Sequence, residues 1–310
     1  VQAWVLVDDT PAMQAAERAA DELAHGVDRG PLHGIPIGIK DIVDVVGMPT
    51  RAGSRLTSPR AVGADATVVE RLRAAGAIIV AKTNMTEFAY SGIGANPHFG
   101  TPGNPADRKR VPGGSSGGAA VAAADGMCEI AIGTDTGGSC RIPGALCGIV
   151  GYKPSRQRIP TEGAFPLSYS IDSIGPLARS VEACARADAV MAGERFVPSD
   201  PASLAGLRIG LPHGFPLENL DETVAKRFSQ ALDMLKRAGA RLTDETLSQF
   251  DGMAQVNSKG GVQPAEAFAV HRDLLSRRAD AIDPNVRVRL ERARNASAAD
   301  YIDMVRDRAR

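Results

Sequence analysis

The sequence predicts an α/β fold, a β-sheet covered by helices, from an order of elements that occurs twice. From Asp65 through Val69, Leu72 and Ala75 the apolar residues recur at helical spacing, Gly76 follows as a C-cap, and Ala77-Ile78-Ile79-Val80 reads as a buried strand. The same order returns where Val224, Phe228, Leu232 and Leu235 stripe one helical face before Gly239 and a short segment around Leu242. Units that alternate in this way lay helices against a sheet.

The remaining elements follow in chain order. Residues 10–24 open with Thr10 as N-cap and Pro11 at the first helical position, then run through good helix formers. Gly34-Ile-Pro-Ile-Gly-Ile-Lys40 is an apolar, strand-like run. From Gly113 to Gly151 the chain is rich in glycine, serine and small residues, with short apolar runs at Glu129–Ile132 and Gly148–Tyr152, and the functional site is expected there. After Gly193 come loops containing proline and charge, then helices rich in Arg, Ala and Asp from Pro264 onward. The chain opens at Val1, not Met, and stops at Arg310 inside a helical pattern, so it reads as an incomplete single domain, with a core over about 30–195 and a helical, substrate-side region over about 196–310.

Composition narrows the function. Lys plus Arg and Asp plus Glu both number 36, and the net charge of zero supplies no global field for nucleic acid or anionic lipid. No apolar run approaches the roughly 20 residues that span a bilayer, and the N-terminus lacks the basic-then-apolar order of a signal peptide. Cys128, Cys140, Cys147 and Cys184 lack C-x-x-C spacing and read as reduced thiols of a cytoplasmic protein, neither a disulfide framework nor a metal site.

Three segments carry chemistry. The first delivers Lys40 on an apolar strand. A lysine acts as a base near neutrality only when neutral, and desolvation lowers its pKa by disfavouring the charged form. The plainer reading is a structural lysine paired with Asp41. The second is Pro112-Gly-Gly-Ser115-Ser116-Gly-Gly118, a glycine loop that enters the small-residue run Ala119–Ala124; a flexible linker would not be followed at once by helix formers. The third is Ile132-Gly-Thr134-Asp135-Thr136-Gly-Gly-Ser139-Cys140-Arg141-Ile-Pro143. Here an apolar strand ends, consecutive glycine amides can converge on one point, and serine follows. Asp135 is expected to bond the loop backbone, and an anion-binding turn without chemistry is the simpler alternative.

Together these segments resemble the amidase signature family, whose signature reads as a G-G-S-S-G-G loop followed by G-T-D-T-G-G-S-x-R-x-P. Residues 113–143 read in that way, Lys40 and Ser139 flank Ser115 at separations typical of the family, and the likeness extends through Gly151-Tyr-Lys-Pro154 and Asp172-Ser-Ile-Gly-Pro176. The resemblance implies a mixed central β-sheet with helices on both faces and an amidohydrolase that needs no cofactor and no metal. It implies Ser139 as nucleophile, Ser115, preceded by a cis peptide bond, as bridging serine, and Lys40 as terminal base. Thr136, Gly137, Gly138 and Ser139 would supply oxyanion amides. Ala89 and Tyr90, within Asn84–Ser91, correspond to a segment beside the acyl pocket. The implied partner is a small-molecule amide, without nucleic acid or membrane, and since family members are often dimers a homodimer stays open. Tyr90 and Phe165 hint at apolar contacts, and the acyl group is not legible.

Other readings are weaker. Gly76-Ala-Ile-Ile-Val-Ala81-Lys82-Thr83 nearly fits a phosphate-binding loop but fails at Ala81, and its interior is an apolar strand. A nucleophile elbow at Gly113–Gly117, with His213 or His271 as base, lacks the preceding core strand. Within the family, the A subunit of the tRNA-dependent amidotransferase usually reads as M-D-E-F-A-M-G-S where this chain has Met85-Thr-Glu-Phe-Ala-Tyr90-Ser-Gly, a departure that favours a free-standing amidase. A truncated, silent binding module is the remaining alternative.

Overall fold

A computed structural model describes residues 1–214 and 217–309. It divides into two compact units, residues 1–196 with 262–297, and residues 197–261 with 298–310.

The first unit is built on six strands, β1 (Trp4–Val7), β2 (Pro36–Lys40), β3 (Ile78–Thr83), β4 (Ile130–Asp135), β5 (Val150–Gly151) and β6 (Ser173–Ala178), in the order β1-β3-β2-β4-β6-β5. The sheet is mixed: β2 runs parallel to both β3 and β4, while β1–β3, β4–β6 and β5–β6 are antiparallel. β2 is an inner strand between β3 and β4, and from Ile37 to Lys40 every residue is buried. That explains why its sequence is a near-continuous apolar run rather than an alternating one.

Strand alternation sorts the core into two layers. Ile37, Ile39, Ile79, Ile130 and Ile132 face one layer, with Leu72 of α2 (Thr67–Ala74) and Ala187 of α5 (Val181–Ala192). Val286 and Leu290 of α9 (Pro284–Leu290), which follows α8 (Val262–Arg278), belong to the same layer. Ala131 and Leu177 face the other layer, with the alanines of α3 (Gly117–Ala124) and Cys140 just before α4 (Arg141–Cys147). Helices therefore cover both faces, as the sequence led us to expect.

Small residues in α3 let it approach the sheet. A Cβ on Gly118 would lie 2.4 Å from the carbonyl oxygens of Ala3 and Asn84, so only glycine permits the helix to start there. The expected 65–80 unit is present, with Gly76 at φ +77° between α2 and β3. The first helix, α1 (Asp9–Ala24), begins earlier than its sequence indicates. Asp8 occupies the N-cap and Thr10 and Pro11 lie inside the first turn, where proline costs no hydrogen bond.

The second unit pairs β7 (Arg208–Pro212) with β8 (Arg241–Glu245) in parallel. Between them, α6 (Glu222–Arg237) is capped by the Asp221 carboxylate, which accepts the Thr223 amide at 2.9 Å. α7 (Gln249–Val256) and α10 (Ala298–Arg308) complete the unit. The second helix-glycine-strand unit is thus real, but it builds a separate small sheet, and no residue of α6 is fully buried. Among the described residues no helix is long and apolar enough to cross a membrane.

Candidate active site

Because β2, β3 and β4 are parallel, their carboxyl ends emerge on one edge of the sheet, and ligands of α/β sheets gather at such edges. Lys40 is the last residue of β2 and Asp135 the last of β4. Lys40 is fully buried, and its Nζ donates to Ser115 Oγ at 2.8 Å and to Thr134 Oγ1 at 2.7 Å. Asp41 does not pair with it. The Asp41 carboxylate meets Lys82 of β3 at 3.2 Å, both side chains buried, so the carboxylate nearest in sequence serves a different lysine.

Among the described residues no carboxylate forms an ion pair with Lys40, and this sets its protonation. Burial pushes the Lys40 pKa down to about 8 against the smaller opposing pull of Cys140, Asp135 and Asp172. Burial also raises the Cys140 thiol to about 12. It is therefore uncharged near neutrality, and the two carboxylates are the anions that act on Lys40.

The glycine loop is fixed on several sides. The Gly114–Ser115 peptide bond is cis, the Gly114 amide donates to the Gly92 carbonyl at 2.8 Å, and the Ser115 carbonyl accepts from the Thr86 amide at 3.1 Å. Ser116 does not point to the same centre as Ser115. Its hydroxyl bonds the backbone of Thr134, accepting from the amide at 3.3 Å and donating to the carbonyl at 3.2 Å, while its own amide donates to the Ser139 carbonyl at 3.2 Å. These bonds tie the two serine segments to β4 and to each other.

Ser139 is buried just before α4. The loop before it is held by Asp135, which accepts the amides of Gly138 at 2.8 Å and Cys140 at 3.0 Å and pairs with Arg141 at 2.8 Å, in the backbone role the sequence assigns it. Burial alone would raise the Asp135 pKa. The Arg141 guanidinium and the two amides outweigh it and hold the carboxyl below the usual range. One consequence separates the four residues assigned to an oxyanion site. Gly138 has already given its amide to Asp135, whereas among the described residues no group accepts the amides of Thr136, Gly137 or Ser139.

Beside this loop opens a cavity of about 340 Å³. Ile42, Ala89, Phe165, Leu167 and Ile174 give it apolar walls, and Thr134, Thr136 and Asp172 supply polar groups. Ala89 lies on this wall. Tyr90 is buried but is not on this wall; burial raises its hydroxyl to about 12 despite Arg292 and Arg289. Phe165 lines the cavity and stacks on Phe88 with ring centroids 6.0 Å apart. The sequence reading missed Thr134 as the second partner of Lys40 and Asp172 as a cavity residue. Both lie inside quoted motifs, but alternation puts Thr134 on the face of Ile130 and Ile132 and Lys40 on the opposite face from Ile37 and Ile39, so the pattern gives no signal for their contact at the strand ends.

The Amidase family profile matches residues 1–310. The chain is 37% identical over 306 residues to the 2-amino-5-chloromuconic acid deaminase of Comamonas testosteroni, covering 97% of this chain and 66% of that protein. It is 41% identical over 260 residues to the A subunit of the glutamyl-tRNA(Gln) amidotransferase of Methylobacillus flagellatus, covering 80% and 53%. A crystal structure described as an amidase superposes with a TM-score of 0.90 at 38% identity, over 99% of this chain and 69% of that one. The chain thus spans between about half and two thirds of the length of these two curated relatives. By profile, sequence and fold together, the chain belongs to the Amidase family, the amidase signature enzymes.

Proposed function

We propose that this chain carries the catalytic machinery of an amidohydrolase, with Ser139 as nucleophile, Ser115 as bridge and Lys40 as base. The observation that supports this most is the 2.8 Å contact between a fully buried lysine, held down to about 8, and the hydroxyl of Ser115. A base of that pKa is neutral in about a tenth of molecules at pH 7, and the fraction grows with pH.

In this reading Lys40 takes a proton from Ser115 as Ser115 takes one from Ser139, and the Ser139 oxygen adds to the amide carbonyl carbon. The oxyanion is received by the amides that have no acceptor among the described residues, Thr136, Gly137 and Ser139. Collapse returns the relay proton to the leaving nitrogen and leaves an acyl ester on Ser139. Water entering by the same route then releases the carboxylic acid and restores the serine. The carbonyl substituent would occupy the cavity bounded by Ala89, Phe165 and Ile174, which favours a small acyl group.

A panel of aliphatic and aromatic primary amides, assayed for ammonia with the parent, Ser139→Ala and Lys40→Ala, tests the assignment. Ammonia from the parent and its loss in both variants is the expected result. The similarity to part of an amidotransferase favours a second reading, in which the ammonia is passed on inside a larger assembly. Glutamine in the same panel separates the two, because a protein of that kind would hydrolyse it in preference to the other amides.

A further inference from the structure

Asp172 stands directly before β6, whose first residue Ser173 pairs with Asp135 at the end of β4. The sheet thereby sets Asp172 beside the loop that leads to Ser139. Its two carboxylate oxygens serve different segments. Oδ1 accepts the Thr136 hydroxyl at 2.6 Å, while Oδ2 accepts the amides of Leu167 and Ser168, both at 2.9 Å. The second segment is anchored in turn by Glu266 of α8, which accepts the Ser168 hydroxyl at 2.5 Å and the Ser170 amide at 3.0 Å. Thr136, Leu167 and Asp172 all line the cavity.

We propose that Asp172 is a positioning residue that clamps Thr136, and with it the amides offered to the oxyanion, onto the cavity wall formed by residues 167–172. The inference rests on the reading of Ser139 as nucleophile and adds to it a residue that touches neither the nucleophile nor the base. Among the described residues, Thr136 and Gly137 carry no secondary-structure hydrogen bonds. Apart from their neighbours in sequence, the Thr136 side chain is what holds this part of the loop, and Asp172 is its partner. Charge-assisted O–H···O bonds of this length are among the stronger ones available to a buried hydroxyl.

Electrostatics supplies an independent signature. The charged or titratable groups acting on Lys40 are Asp135 and Asp172, with the neutral thiol of Cys140; Glu162 and Tyr169 line the cavity on the Asp172 side. Burial raises the Asp172 pKa, opposed by the Thr136 hydroxyl, the Ser168 and Leu167 amides and Lys40. Asn in place of Asp172 removes an anion that favours charged Lys40, so the base would lose its proton at lower pH. A simple loss of packing would not move the acid limb in that direction.

The test measures kcat, KM and the pH profile for Asp172→Asn, Thr136→Val, Thr136→Ser and the double variant Asp172→Asn/Thr136→Val, each checked for folding by circular dichroism. We expect kcat to fall about 10- to 100-fold in Asp172→Asn and Thr136→Val with KM changed less than about threefold, since the lost support acts in the transition state. The double variant should be no worse than the poorer single one, because both break one bond. Thr136→Ser should recover most of what Thr136→Val loses, and Asp172→Asn should shift the acid limb to lower pH. Unimpaired kcat in Asp172→Asn, a multiplicative double variant, or an acid limb that stays in place overturns the proposal. If Asp172→Asn does not fold, Thr136→Val against Thr136→Ser decides alone. Ser139→Ala is the control: if it is as active as the parent, the underlying reading has failed and this inference falls with it, whereas an inactive Ser139→Ala beside an unimpaired Asp172→Asn overturns this inference only.

Discussion

Lys40 Nζ lies 2.8 Å from Ser115 Oγ and 2.7 Å from Thr134 Oγ1, two hydroxyls in place of the carboxylate that usually accompanies a buried lysine. Hydroxyls can accept from an ammonium and donate to an amine, so the site tolerates both protonation states. A carboxylate would have fixed the charge.

The first prediction concerns pH. Only neutral Lys40 can accept a proton, so kcat/KM should rise about tenfold per pH unit on the acid side and level off near the Lys40 pKa of about 8. Initial rates at saturating and limiting amide between about pH 5.5 and 9.5 check this. A plateau already reached at about pH 6 would mean that another group is the base.

The second concerns Ser115. Ser115→Ala leaves nucleophile and base in place but removes the bridge, and kcat should fall by at least about a hundredfold, the usual worth of a positioned proton relay. Ser116→Ala is the comparison. Its hydroxyl serves the Thr134 backbone, so this change should lower thermal stability more than turnover.

The third is a linkage effect with an unusual sign. The folded-state pKa of Lys40 lies below its unfolded value, so between about 8 and 10.5 the unfolded chain binds more protons and stability rises with pH. Below about 8 both states are charged and the burial penalty is felt in full. The 10.5-to-8 difference corresponds to about 3 kcal/mol. Urea melts of Lys40→Met against the parent should therefore show the variant gaining at about pH 7 and the gap narrowing by about pH 10. A gap independent of pH would contradict the assigned shift.

The fourth concerns the neighbouring pair. Lys82 and Asp41 meet at 3.2 Å with both side chains buried, and Lys82 also donates to the Pro49 carbonyl and Thr50 Oγ1. Lys82→Met strands the Asp41 carboxylate and should cost about 3–5 kcal/mol, whereas Lys82→Met combined with Asp41→Leu should recover much of the loss. Denaturant melts of Lys82→Met, Asp41→Leu and the double variant measure it, and additive losses would argue against a coupled pair.

Much of the site was legible because it is local. Lys40 stands out as a charge at the end of an apolar strand, and Ser115 and Ser139 stand out as hydroxyls beside glycines. What the sequence hid depends on contacts far apart in the chain. The Asp41–Lys82 pair joins adjacent strands, and nothing in either segment says which lysine Asp41 will meet. Asp172 reaches Thr136 only because β6 folds back antiparallel on β4. Likewise, the glycine run 137–138 looks uniform as a sequence. The fold breaks that uniformity by giving the Gly138 amide to Asp135. The cavity wall over 161–167 has no periodicity to read, and the apolar stripe of α6 announces a helix without saying which sheet it accompanies.

The central claim is that a covalent acyl-enzyme forms on Ser139. Rapid acid quenching during turnover of a slow aromatic amide, followed by peptide mass spectrometry, tests it most directly. The account predicts the acyl mass on the peptide carrying Ser139, absent from Ser139→Ala and accumulating more slowly in Lys40→Ala. Ammonia release with no adduct on that peptide, or an adduct retained in Ser139→Ala, would contradict it.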